Sequence, residues 1–275
     1  MKMYRPFVSF SLLSECVPAI AQEYWHCDMK RGFKRVRRRE PNVAAVLAQD
    51  TTVQRIGLLA QRAVYEFHQH ESALSQTNST QVISAILKLE EESAIVRERV
   101  QQVLINYQKR PILLGKKILQ LSRGDEGIPE ALEFAGQAFQ FRLYAAIDCI
   151  FVEPDGTLHI LDFKTGKADF DVRQAYIYLV AARELYPNQK AVASFYNLET
   201  CHWSDPITAT VPQLNAVQSN LERIAQQHER EKQQYRQDPA RFSQIFPPNS
   251  DFKRCQHCQF ESLCKFSAVG TEVLA

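Results

Sequence analysis

Ala146-Ile147-Asp148, Glu153-Pro154-Asp155-Gly156 and Leu158-His159-Ile160-Leu161-Asp162-Phe163-Lys164-Thr165-Gly166 follow one another within 21 residues. Residues 140–152 are rich in aromatic and branched side chains and read as a strand, and 158–163 reads as a second. The Glu-Pro-Asp-Gly between them is a turn signal, so the two strands form a hairpin. A three-residue turn with Gly156 in the left-handed conformation pairs positions summing to about 310, which sets Asp148 opposite Asp162. Side chains alternate along a strand, so Asp162 and Lys164 share a face. Two carboxylates and an ammonium then meet where a sheet can bury them.

Those residue types specify a chemistry. Two close carboxylates repel unless a hard divalent cation lies between them, and Mg²⁺ or Mn²⁺ takes such oxygen ligands. A cation there lowers the pKa of a bound water and neutralises charge on a phosphodiester. A neighbouring lysine orients or deprotonates that water. Asp162-Phe163-Lys164 taken alone also describes a strand end with a surface ion pair.

Outward from the hairpin, 171–185 reads as helix, 191–198 as strand and 210–234 as a long polar helix. Upstream, 54–69 is amphipathic, with Ile56, Leu59, Ala63 and Phe67 close to one stripe. After a polar break at 75–80, residues 81–109 keep helical spacing through Val82, Ile86, Leu89, Val96, Val100, Val103 and Tyr107 until Pro111. Residues 16–33 are mostly helical in pattern, and 5–13 suit a short strand or the entry to a helix. The order predicts a mixed α/β fold: an N-terminal helical part over 1–135, a catalytic core over 136–245 and a tail over 246–275.

Composition bounds the rest. Of 275 residues, 33 are Lys or Arg and 31 Asp or Glu, a net charge of +2 that neither demands nor excludes nucleic acid. The charge is unevenly placed: Lys30, Arg31, Lys34, Arg35, Arg37, Arg38 and Arg39 crowd ten positions. Seven free cations would neutralise several phosphates without reading sequence, whereas a solvated helix end has the same composition. No run approaches the roughly 20 apolar residues of a membrane span. Lys2, Arg5 and the apolar stretch 7–13 imitate a leader peptide, but three serines and Glu15 break the imitation, and a cytoplasmic protein is expected.

The seven cysteines are odd in number, which argues against a secreted disulfide framework. Cys255, Cys258 and Cys264 form Cys-x2-Cys-x5-Cys, a spacing that suits zinc or an iron–sulfur cluster and calls for a fourth ligand from elsewhere. His257 or another histidine would complete a zinc site. Cys149 and Cys201 read as small core residues.

Asp148, Gly156, Leu161-Asp162-Phe163-Lys164-Thr165-Gly166 and Gln174-Ala175-Tyr176-Ile177-Tyr178, in that order, resemble the RecB-like branch of the PD-(D/E)XK nucleases. The resemblance is close over about 45 residues. It implies a restriction-endonuclease-like α/β core in which Asp148, Asp162 and the Phe163 carbonyl bind Mg²⁺ or Mn²⁺. Lys164 would be the catalytic lysine, and Gln174 and Tyr178 would contact DNA or steady the site. Where that family has a metal-binding histidine four residues after a glycine, this chain has Gly57 followed by Gln61, a neutral and weaker ligand. Glu66 and His68 lie within two turns of it.

The cysteines resemble those of RecB-like nucleases with a [4Fe–4S] cluster, among them CRISPR-adaptation exonucleases and AddB-type repair nucleases. That resemblance implies a fourth, N-terminal cysteine: Cys27, or alternatively Cys16. The cluster would pin the N-terminal helix to the tail. The implied function is hydrolysis of DNA at free or single-stranded ends, in repair and recombination or in CRISPR adaptation, with a helicase or adaptation proteins as partners. Two further readings stay open: a catalytically weak DNA-binding subunit, and a zinc-stapled interaction protein.

Overall fold

A computed structural model describes residues 5–20, 22–69, 76, 78–136, 139–166 and 170–268. Its strands are β1 (Phe7–Ser9), β2 (Lys117–Leu121), β3 (Leu132–Ala135), β4 (Gln140–Tyr144), β5 (Cys149–Val152), β6 (Leu158–Lys164), β7 (Ala191–Asn197) and β8 (His202–Trp203). Its helices are α1 (Phe10–Cys16), α2 (Asp28–Arg35), α3 (Pro41–Leu47), α4 (Thr52–Gln69), α5 (Ser79–Ile86), α6 (Ala94–Lys109), α7 (Val172–Leu185), α8 (Val211–Gln237), α9 (Phe242–Ile245) and α10 (Phe252–Cys255). No helix among these residues is long and apolar enough to cross a membrane.

The chain divides into two compact units that do not follow sequence order. One gathers residues 50–132 and 144–218, the other 1–49, 133–143 and 219–275. The interleaving arises because β3 and β4 pair with β1, residues distant in sequence.

The first unit holds a five-stranded sheet in the order β2-β5-β6-β7-β8. Its central strand β6 is buried at every position but the last. It runs antiparallel to β5 and parallel to β7, with α7 as the crossover that parallel pairing requires. The β5–β6 register pairs Cys149 with Leu161 and Val152 with Leu158, positions summing to 310 as the turn predicts. Gly156 (φ 87°) closes the turn by donating to Glu153 O at 2.9 Å. One face of the sheet, through Cys149, Phe151, Leu161, Phe163 and Tyr196, packs on Ile56, Leu59, Ala63 and Phe67 of α4 and Val100, Val103 and Tyr107 of α6. Alternation sends Asp162 and Lys164 to the other face, the one that meets α7.

Two helical expectations are corrected. Residues 81–109 are not one helix: α5 stops, Lys88 turns left-handed at φ 54°, and α6 restarts with Ser93 as its N-cap. The break lets Ile83, Leu87, Leu89 and Val96 all reach the core, which a straight helix through 81–109 does not achieve. Residues 16–33 are likewise interrupted. Val17-Pro18 ends α1, since the residue before proline avoids the helical region, and α2 starts only at Asp28.

The second unit carries the three-stranded sheet β1-β4-β3 and an aromatic core of Met29, Phe33, Val43, Phe242, Phe246 and Phe260. Gly32 lets α2 approach that core: a Cβ there would stand 2.7 Å from Phe246 and 2.8 Å from Phe242. Alanine normally stabilises a helix interior by about 1 kcal/mol over glycine. Here the overlap with two buried rings reverses the sign. Gly32→Ala is expected to destabilise the protein by about 1–3 kcal/mol, read as a lower midpoint in urea unfolding; an unchanged or raised midpoint would contradict the packing.

Candidate active site

Asp162 lies on the buried centre of the sheet, 3% exposed, and is surrounded by partners from α7. Its Oδ1 accepts from Gln174 Nε2 at 2.9 Å and faces Tyr178 OH at 2.6 Å. The Tyr178 hydroxyl has one proton and two acceptors in reach, Asp162 Oδ1 and the Ala146 carbonyl at 2.7 Å. Gln174 and Tyr178 are one helical turn apart on α7, which Asp171 caps through the Arg173 amide. Lys164, one-third exposed, sets its Nζ 2.6 Å from Asp162 Oδ2 and 2.8 Å from Gln174 Oε1.

Asp148 arrives from the other arm of the hairpin. Its Oδ2 accepts from the Phe163 amide at 2.7 Å, and Gln61 of α4 lines the same cavity as Asp148. Burial pushes the Asp148 pKa well above the carboxylate range, and the Asp162 charge adds to the shift; the Phe163 amide, Lys164 and Gln61 oppose it. Burial also raises the Tyr178 pKa, with the Asp162 and Asp148 charges adding to it, so its hydroxyl stays protonated.

One atom identifies what is missing from this charge balance. Asp162 Oδ2 is buried and makes no hydrogen bond among the described residues; the Lys164 ammonium approaches it without hydrogen-bond geometry. Buried carboxylate oxygens are ordinarily satisfied. An open lone pair beside a second carboxylate of raised pKa suits a hard divalent cation. Asp148 and Asp162 would hold it, together with the carbonyl of Phe163, the residue that follows Asp162 on β6. No group of three His, Cys, Asp or Glu side chains poised for a metal occurs among the described residues, here or elsewhere.

A family model, the PD-(D/E)XK nuclease superfamily, matches residues 20–265. The chain belongs to the PD-(D/E)XK nuclease superfamily. Members are nucleases, hydrolases that usually act with Mg²⁺ or Mn²⁺, and the α/β fold accords with membership. Among solved structures the chain is similar to one described as "Crystal structure of SSO0001". The identity is 11% and the TM-score 0.33, with 90% of this chain and 98% of that one covered. No curated protein matches significantly.

Within this PD-(D/E)XK chain, the structure brings together Asp148, Asp162, Lys164, Gln174, Tyr178 and Gln61. It does not bring His68, whose Nε2 meets Tyr107 OH at 2.6 Å, and Glu66 lies 3.5 Å from Arg62. The turn 122–126 belongs to the site as well. Ser122, Gly124 and Glu126 join Gln61 and Asp148 around a cavity of about 440 Å³. Nothing local in the sequence marked that turn, because its relation to Gln61 arises only from folding.

The cysteines converge in part as the sequence suggests. Cys27, Cys255, Cys258 and Cys264 all line one cavity of about 210 Å³. Cys16 does not; it sits among Arg31, Glu231, Glu15 and Asp28, and burial pushes its thiol up to about 11. The basic run departs from expectation. Arg31 is buried and paired with Asp28 and Glu231, Arg35 bonds Glu15 at 2.6 Å, and Lys34 reaches the same carboxylate at 3.4 Å. Arg37 pairs with Glu40 and stands 4.9 Å over the Phe33 and Phe242 rings. Four of the seven cations therefore serve the fold, leaving Lys30, Arg38 and Arg39 without an ion pair among the described residues.

The raised pKa of Asp148 fixes the sign of a pH effect. A carboxyl that titrates higher in the folded than the unfolded state destabilises the fold as pH climbs from about 4 through the folded value. In metal-free protein, Asp148→Asn should raise the melting temperature near neutral pH by at least about 2 °C. The gain should vanish toward about pH 4. Equal melting curves across that range would mean that Asp148 carries no burial penalty.

Proposed function

We propose that this chain is a Mg²⁺- or Mn²⁺-dependent deoxyribonuclease of the RecB-like branch, acting on free or single-stranded DNA ends with little regard for sequence. The observation that carries the proposal is the open Asp162 Oδ2, buried beside Asp148 and facing the Lys164 ammonium. When bound, the cation supplies charge neutralisation at the phosphodiester and a more acidic water. Asp148 and Asp162, with the Phe163 carbonyl, would hold it. Lys164 orients the attacking water and stabilises charge that grows on the phosphoryl oxygens. Gln174 accepts from Lys164 at its amide oxygen and donates to Asp162 from its amide nitrogen, and so fixes the distance between base and carboxylate. Tyr178 keeps Asp162 from rotating.

The same reading assigns the four thiols of the cysteine cavity to a [4Fe–4S] cluster, with Cys27 as the N-terminal ligand. A lone zinc ion with bonds of about 2.3 Å draws its ligands into a tight tetrahedron. Four thiols around one cavity suit either group, and the cluster is the one that the resemblance to cluster-bearing RecB-like nucleases implies. Its role is structural, fastening residues near 27 to those near 260. The resemblance implies an activity in DNA repair and recombination or in CRISPR adaptation, beside a helicase or adaptation proteins. The alternative is a DNA-binding subunit with weak catalysis, favoured by one observation: Gln61 occupies the helical position where this branch carries a ligating histidine.

Anaerobically purified protein is expected to cleave single-stranded DNA with Mn²⁺, and Lys164→Ala or Asp162→Ala to lower the rate at least about 100-fold. A folded wild type that binds DNA without cutting it would favour the subunit. The wild type should be brown with a broad visible band that Cys27→Ser abolishes and Cys16→Ser leaves intact; a colourless, zinc-containing protein would withdraw the cluster. Replacing Lys30, Arg38 and Arg39 with glutamine should reduce the salt dependence of single-strand binding by a log–log slope of about 2. No change in slope would place the phosphate contacts elsewhere.

A further inference from the structure

We propose that the cavity beside Asp148 is a nucleobase pocket, which receives the unpaired base of the nucleotide whose phosphate lies at the carboxylates. The inference rests on the proposed nuclease reading and names the part of the substrate that this side of the centre takes.

The cavity, of about 440 Å³, falls within the range of roughly 300–1,000 Å³ that small-molecule sites occupy. Asp148 belongs both to its wall and to the centre. Among the described residues no Lys, Arg or His lines it, whereas Glu126, Glu130 and Asp148 do. The Glu126 carboxylate accepts from the Ser122 hydroxyl at 2.6 Å, the Arg123 amide at 2.7 Å and the Gly124 amide at 3.0 Å. A phosphate entering there would meet like charge with no counter-ion in the wall. The Lys164 ammonium stands at Asp162 and is not part of that wall. Charge therefore sorts the substrate. The phosphodiester goes toward Lys164, and only a neutral part passes beyond Asp148.

The walls fit a base. Ile128, Pro129, Leu132 and Leu185 supply apolar surface, and Ile128 is 79% exposed, so the cavity offers solvent a face that a flat ring can cover. Gln120 supplies a polar edge. Its Nε2 donates to the Ile147 carbonyl at 3.3 Å, which leaves its Oε1 as an acceptor without a partner among the described residues. Each of the four bases carries an N–H on its pairing edge, so one such acceptor serves them all without reading sequence. That edge is free only in an unpaired nucleotide. The pocket thus accounts for a preference for single strands and frayed ends.

The test is a cycle between protein and substrate, run in EDTA so that no cleavage intervenes. Binding is measured to a short single-stranded thymidine tract and to a tract of equal length and charge that lacks the bases. Wild type should bind the thymidine tract about tenfold more tightly. Ile128→Ala should lose about fivefold on thymidine and nothing on the abasic tract. Ile95→Ala removes an exposed isoleucine from α6 that does not line the cavity, and it should match wild type on both tracts. Equal wild-type affinity for the two tracts, equal losses by Ile128→Ala on both, or binding to neither would each overturn the pocket. Cleavage with Mn²⁺ is scored separately. Base-dependent binding through Ile128 without cleavage would defeat the deoxyribonuclease reading and leave the pocket standing, and cleavage without base dependence would do the reverse.

Discussion

Gly156 at φ 87° holds the β5–β6 hairpin in one register, and the centre exists only in that register. A slip of one residue would exchange the faces of β6. Leu161 and Phe163 would then leave the helical core, and Asp162 would enter it with its charge. The hydrophobic cost of exposing the first pair and the electrostatic cost of burying the aspartate act in the same direction. The register is therefore defended by the packing of residues that take no part in the chemistry. Asp148 adds a local lock, accepting from the Phe163 amide at 2.7 Å across the hairpin.

Much of this was legible because it is periodic or local. Alternation in 158–164, a turn signal at 153–156 and a one-turn spacing between Gln174 and Tyr178 follow from backbone geometry alone. The family order of those residues told more, since it suggested which of them would gather before any contact was visible. What escaped depends on partners distant in sequence. The run of cations at 30–39 looks like a phosphate-binding strip, but Glu15, Glu40 and Glu231 engage four of its members. Nothing in the run distinguishes Arg31, buried, from Arg39, exposed. The helix break at Lys88 was masked by apolar spacing that continues across it. The turn 122–126 has no signature that points to Gln61.

Two kinds of buried charge coexist in the chain. Arg31 is fully matched by Asp28 and Glu231, and such a network serves the fold alone. The pair Asp148 and Asp162 is under-matched: one ammonium and several neutral donors face two carboxylates, and one oxygen remains open. Evolution tolerates a deficit of this kind where a ligand corrects it. The contrast falls on the residues that the sequence resemblance proposes as metal ligands.

The interleaving of the two units bears on the order in which the protein comes into being. Residues 50–132 and 144–218 are complete before the segment 219–275 is synthesised. The unit with the carboxylates can therefore assemble on the ribosome while the other still lacks nearly half of its residues. Glu231, Phe242, Phe246 and the three distal cysteines all arrive in that final segment. Until then Arg31 has no second carboxylate and Phe33 no aromatic neighbours at 242 or 260. Residues 28–47, apolar and charged at once, stay without these partners until residues 231–260 have been made.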